Sequence, residues 1–509
     1  MAPGMPNPKS RKPQRGSNNR FGRDNQLLPS DWGQLQQSDL CRIQKSLSAT
    51  LGKSAARNQL EACLMLTAMI TTGRPLETLL PLPVKFVGHN PCPKSLASGL
   101  VNHDGKWSWW LPAGAPALSN HPKGTWTEVK VGMIQTSPNV WLPTSVMAAE
   151  LIDRCMSARA VEPCSENIRL FTHSKREIHR LILSILKSAS SELDRTRRSA
   201  QTIESLRRWL PRKIAQDAGG DPAAASIITD RYRSLAHPMT YYGSLSIPKA
   251  IRIHSKATAQ FDKHGHRACP KEISRLSVGD PNTPSDEAVC ALIRDLASRL
   301  ESAETSVERQ AGMVRQTSAL LAFALGLRGN GVLPSSGAID QQTGFCLIAD
   351  KDRFNPHAKR LVWVPPLARS QIAHYEAHLK HLKRSLGINA KRQIDELETA
   401  SPSALPLFWV HTSDRIESTP LKLVLKWSQE FSWPGESNAG RHWLRSKLSS
   451  ECSAETLGAF FGHWQVGAEP WQPSSALDPL AYRADLDRCL NPILTRVGWK
   501  ALTCRECAA

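Results

Sequence analysis

Apolar residues recur at three-to-four spacing in three stretches of this 509-residue chain: 60–70 (LEACLMLTAMI), 178–186 (IHRLILSIL) and 314–327. That period is the helical one, so each stretch has to bury one face or all of a helix. The longest apolar run, 319–327 (ALLAFALGL), is about half of what a bilayer requires. These are therefore core helices, and no segment is expected to span a membrane. The N-terminus has no apolar signal-peptide core. Hydrophobic residues make up 40% and charged residues 22%, an ordinary globular balance. The length leaves room for roughly two to four domains.

The punctuation between helices sets the organisation. Thr283-Pro284-Ser285-Asp286 reads as a helix start with Thr283 as cap and Pro284 in the first position; it opens a pattern running towards Gly326. Residues 271–284 are polar with Gly and Pro, which predicts an interdomain linker and a domain cut near 275. Residues 345–348 and 360–364 flank the polar stretch 350–359, which predicts a hairpin with a charged tip. Residues 106–111, 126–131 and 140–142 are strand-like as well. The fold class expected is mainly α with small β-sheets (α+β). The halves echo each other: Gly73-Arg74 follows one apolar helix as Gly326-Leu327-Arg328 follows another. Residues 205–211 (SLRRWLP) resemble 442–445 (HWLR), and Tyr241-Tyr242 closes the first series as Tyr482 closes the second. The pattern suggests an internal duplication.

Lys and Arg number 65 against 45 Asp and Glu, a net charge of +20. That excess favours a polyanionic partner, nucleic acid before anionic membrane. Residues 1–30, rich in Pro, Asn, Lys and Arg, read as a disordered basic arm. The 12 cysteines form no paired framework, so reduced thiols and a cytoplasmic location (nucleoid-associated in a bacterium) are expected. Neither Cys504/Cys507 nor the loose cluster His264, His266 and Cys269 has the matching pair that a structural zinc site needs.

The chemistry-bearing residues fall in the second half. Arg328 ends an apolar helix in FALGLRGNG, and Lys351 lies in the hairpin in IADKDRF. His442 and Arg445 lie one turn apart in NAGRHWLRSKL, His463 lies in LGAFFGHW and Tyr482 in DPLAYRADL. Alone, each has a plain structural role: Trp443, Leu444 and Leu448 as core, His463 as cap of a helix ending at Phe461, Lys351 as an exposed turn charge. The ordered set resembles the active site of the tyrosine recombinases, the phage-integrase family, over residues 310–490.

The resemblance implies a tyrosine-recombinase-like catalytic domain at 276–509, mostly helical with a small sheet carrying the lysine. A helical DNA-binding or degenerate recombinase-like domain would precede it at 31–275. It implies a site-specific recombinase of a mobile element, cutting and rejoining double-stranded DNA through a 3′-phosphotyrosine. Self-association on DNA and accessory proteins of the element are expected partners, and neither metal nor cofactor is needed. The residue types suit this chemistry. A phenol forms an ester that preserves the phosphodiester energy. Arg328 and Arg445 would fork onto the non-bridging oxygens, His442 and His463 would handle protons, and Lys351 would protonate the departing 5′ oxygen, with Lys359 its rival.

Three positions depart from the family pattern. Gly331 stands where a glutamate usually follows the first arginine. The gap from His463 to Tyr482 is longer than usual. Glu204 occupies the first half's place for the HxxR histidine. They keep open a catalytically inactive recombinase-like DNA-binding protein, and a nucleophile among Tyr241 and Tyr242. With 15 tryptophans as stacking faces, an unrelated RNA-binding protein is a third possibility.

Overall fold

The computed structural model describes residues 35–51, 55–87, 96–114, 131–157, 168–190, 201–217, 220–230, 241–262, 269–349, 359–426, 433, 437–449, 451–464, 470–471 and 475–504. Lys351, Trp126, His264, His266, Cys507 and the basic arm lie outside them. The described residues are mixed α and β, with seventeen helices and small antiparallel sheets. Among them, no helix is long and apolar enough to cross a membrane.

Two compact units interleave along the chain. The first comprises residues 1–84, 144–217 and 256–265, the second residues 85–143, 218–255 and 266–509. The expected cut at 275 therefore falls inside the second unit. The supposed linker is ordered: Ser277–Gly279 pairs with Ser244–Ser246, and the Ser137 N–H donates to the Ser277 carbonyl. Its glycines and prolines shape turns within a domain, which composition does not distinguish from a linker.

In the first unit the Arg57–Thr72 helix is buried almost all round, as its near-continuous apolar run demands. It packs on Val146–Ser157, Lys175–Ala189 and Ile203–Gln216. Its one buried acid, Glu61, accepts from the Thr172 hydroxyl at 2.6 Å and from the Thr172 and His173 backbone N–H groups. Burial pushes that carboxyl up, but these bonds outweigh it and hold it below its usual range.

The second unit repeats the plan with Ser306–Leu325 at its centre, packed on Asp286–Glu301, Pro366–Ser385 and Ala439–Leu448. Both central helices end at a left-handed glycine, Gly73 (φ 67) and Gly326 (φ 55), and lead into an arginine. Only a residue without Cβ takes that turn cheaply. Burial pushes the Arg74 guanidinium down to about 9. The predicted hairpin is present as Phe345–Ala349 and Lys359–Trp363, in register Phe345↔Trp363. Lys106–Pro112 pairs with Gly99–His103 on one side and Asn139–Pro143 on the other.

The helix start differs from expectation. Ser285, not Thr283, caps the helix, its hydroxyl accepting from the Ala288 N–H. Thr283 instead donates to Asp280 at 3.1 Å. The pattern towards Gly326 is two helices, because Thr305 and Glu308 form a capping box that starts the second.

Candidate active site on the histidine helix

The Ala439–Leu448 helix carries three basic side chains into the interior of the second unit. Arg441, His442 and Arg445 are all buried. Gly440 lets the helix come close, since a Cβ there would lie 3.0 Å from the Ala322 carbonyl. Trp443 and Leu444 are core, and Trp443 donates its indole N–H to Asp286 at 2.8 Å. A buried charge is tolerated only when paired and hydrogen-bonded, and each of the three has a different solution.

Arg441 lies over two helix C-termini. It donates to the Gly326 carbonyl at 2.9 Å and to the Phe461 carbonyl. Arg360, on the hairpin, donates to Leu325, Gly326 and Phe460 carbonyls beside it. The partial negative charge at the ends of the Ser306–Leu325 and Ala454–Phe461 helices thus balances two guanidinium groups.

His442 is oriented by a carboxylate, with Nδ1 2.5 Å from Asp280 Oδ2. Asp280 is itself fixed by the Asn282 N–H and the Thr283 hydroxyl. A carboxylate accepting at Nδ1 leaves Nε2 as the working nitrogen, the arrangement required of a general base or acid.

Arg445 forms a two-pronged pair with Asp221, at 3.0 and 2.9 Å. Asp221 also caps the Pro222–Thr229 helix through the Ala223 N–H. Burial pushes the Asp221 carboxyl up, but the Arg445 charge and hydrogen bonds prevail and hold it below its usual range.

His463 follows the left-handed cap Gly462, its N–H closing the Ala454–Phe461 helix on Gly458. It is thus a cap, and its side chain also joins the site: Nε2 lies 3.1 Å from Arg441 Nη2. Two tyrosines complete the cluster. The Tyr242 ring stacks on His463 (5.4 Å, 14°), meets His442 at 4.6 Å and lies 5.0 Å below the Arg441 guanidinium. Tyr241 meets His442 at 5.7 Å and Tyr242 edge-on at 4.9 Å.

The structure therefore brings His442 and His463 onto one ring, that of Tyr242, with Arg445 one turn further along the same helix on Asp221. Arg328 is half-buried just past the Gly326 turn, its Nε without a hydrogen-bond partner among the described residues. Lys359, the rival of Lys351, is half-buried on the hairpin strand. Tyr482 is placed differently from the sequence expectation. It is buried, its hydroxyl donates to the Leu361 carbonyl at 2.7 Å, and its ring lies against Phe345 and Trp471. Burial raises its phenol well above the ordinary value. Tyr482 is therefore a core residue packed on the hairpin.

Sequence alone misses Arg441, Arg360, Asp280, Asp221 and Lys249. Arg441 was visible beside His442, but nothing distinguished it from a solvated charge. Lys249, in the Ile247–Thr258 helix, is half-buried within the fields of Asp221 and Arg445. Burial pushes its ammonium down to about 8, with Asp221 opposing and Arg445 adding to the shift. Since an unfolded lysine keeps its proton to about 10.5, the unfolded chain binds more protons between those values. This group's contribution to stability therefore rises from pH 8 to 10.5. Urea midpoints at pH 8 and 10 should show this rise in the wild type and a smaller one in Lys249→Met. Equal slopes would contradict it.

The arrangement joins a carboxylate-oriented imidazole, two buried guanidinium groups, a second imidazole and a tyrosine pair, a set suited to phosphoryl transfer. No family model, curated protein or solved structure matches the chain.

Proposed function

We propose that the chain is a DNA strand transferase of tyrosine-recombinase type, cutting and rejoining duplex DNA through a phosphotyrosine. The observation that supports this most is the histidine helix: Arg441, His442 and Arg445 are all buried, the first two beside His463 and two tyrosines. Burying three basic groups in one short helix is a costly way to build a core. The guanidinium groups would take the charge that develops on the phosphate, and His442 would move the proton. The net charge of +20 fits contact with many phosphates, so non-covalent binding falls steeply with salt. Recombination would require self-association on two DNA sites.

A second possibility, a DNA-binding protein without turnover, is favoured by one feature. Asp221 fills the fork of Arg445, where a phosphate would have to sit. The two are separated by producing the full chain from its native locus, lysing in hot detergent and measuring DNA retained on the protein. Denaturation-resistant DNA in the wild type, absent in His442→Asn, is the expected result. Salt-sensitive duplex binding with no resistant DNA would establish the binding protein instead.

A further inference from the structure

We infer that the attacking tyrosine is Tyr241, delivered from the first half of the sequence, and not Tyr482. This rests on the phosphotyrosine reading above. The chain has five tyrosines; Tyr232 lies outside the described residues. Two of the others have hydroxyls committed to carbonyls in the core, Tyr375 to Pro406 at 2.8 Å and Tyr482 to Leu361 at 2.7 Å. Burial raises both phenols, which opposes formation of the phenolate character a nucleophile needs.

The remaining two lie at His442. Tyr242 is 8% exposed, and its ring is covered by His442, His463 and Arg441. It acts as packing that positions those groups. Tyr241 is 38% exposed and also touches the His442 ring, so among the described tyrosines it alone combines access for a bulky DNA backbone with contact to the proton acceptor.

The backbone registers this tyrosine to the histidine. In the two-stranded ladder Ser244 faces Gly279, and the next N–H, that of Asp280, donates to the Gly243 carbonyl at 2.9 Å. The ladder thus joins the tyrosine pair to the carboxylate that orients His442. Ser446, on the histidine helix, accepts from the Ser244 N–H at 3.1 Å and donates towards the Tyr242 carbonyl at 3.4 Å. The residues next to the nucleophile, the base and the residue orienting the base are thus held by one short set of hydrogen bonds. Such preorganisation is what an in-line displacement requires.

The step balances simply. Tyr241 Oη forms a bond to phosphorus as the bond from phosphorus to the 5′ oxygen breaks. The phenol proton passes to His442 Nε2, and the 5′ oxygen leaves as a hydroxyl with a proton from solvent. Rejoining reverses each transfer.

The test maps the attachment point. Full-length wild type, Tyr241→Phe, Tyr242→Phe and Tyr482→Phe are produced from the native locus. The DNA retained after denaturation is trimmed with nuclease, and tryptic peptides are sequenced by mass spectrometry. Peptides 234–249 and 448–483 separate the candidates, and fragmentation resolves Tyr241 from Tyr242. A nucleotide remnant on Tyr241, lost only in Tyr241→Phe, is expected. A remnant on any other tyrosine overturns the assignment while leaving the phosphotyrosine reading intact. No retained DNA in the wild type overturns both.

Discussion

Arg445→Ala lowers stability by about 3–5 kcal/mol, the usual cost of leaving one member of a buried ion pair alone. Asp221 would then be a buried carboxylate whose two-pronged partner is gone. The measurement is a urea titration of the full chain, following the second unit by tryptophan fluorescence. Arg445→Met combined with Asp221→Leu should recover most of the loss, because an apolar pair of similar volume escapes the desolvation cost. That double variant separates structure from chemistry: it folds, but it lacks the Arg445 guanidinium that would meet the phosphate, so covalent DNA capture stays absent. Captured DNA at the wild-type level would show that Arg445 is purely structural. The pH dependence has a definite sign. The Asp221 carboxyl is held below its ordinary value, so its contribution is complete above the unfolded value. It is lost as pH falls through the still lower folded value. The acid limb of the stability profile should therefore be shallower in the double variant.

Gly279→Ala is expected to damage the site more than its size suggests. Gly279 has φ +101, and a Cβ there would lie 2.4 Å from the Gly243 carbonyl. The backbone conformation alone costs about 1–3 kcal/mol for a residue with a side chain, and the clash adds to it. Relief requires Gly243 to move away from Gly279, which would break the Asp280–Gly243 bond and draw Tyr241 and Tyr242 off His442. Gly105→Ala is the control: its φ is +74 but nothing lies within 4 Å of the added carbon. A comparison of the two by thermal unfolding and covalent DNA capture isolates the ladder. Gly279→Ala should be less stable than Gly105→Ala and should lose capture, while Gly105→Ala keeps it. Equal behaviour would show that the ladder does not register the tyrosine.

The elements legible in the sequence are those whose signal is local. Apolar spacing predicted the central helices that became Arg57–Thr72 and Ser306–Leu325, because a helix that is apolar nearly all round has to be buried. Two strand-like segments flanking a polar stretch, 345–348 and 360–364, predicted the hairpin of Phe345–Ala349 and Lys359–Trp363. The helix start at Thr283 was displaced to Ser285 because Thr283 and Ser285 are both good caps and only tertiary contact chooses between them. Asp280 takes the Thr283 hydroxyl, leaving Ser285 to cap.

The candidate site shows the same division. NAGRHWLRSKL carried His442 and Arg445 one turn apart on a helix, and LGAFFGHW carried His463 just past a helix ending at Phe461; helical geometry determined that much from sequence alone. What those side chains face was decided by the tertiary fold. The partner of His442 lies 162 residues away and that of Arg445 lies 224 away, separations across which no periodicity operates. Tyr482 matched the order of a known motif, yet the fold buried it against the hairpin and brought Tyr241 and Tyr242 to His442 instead. A side chain's chemistry is intrinsic to the sequence. Its neighbours, dielectric and access to solvent are set only when distant segments pack, and these determine whether a tyrosine is core or a nucleophile.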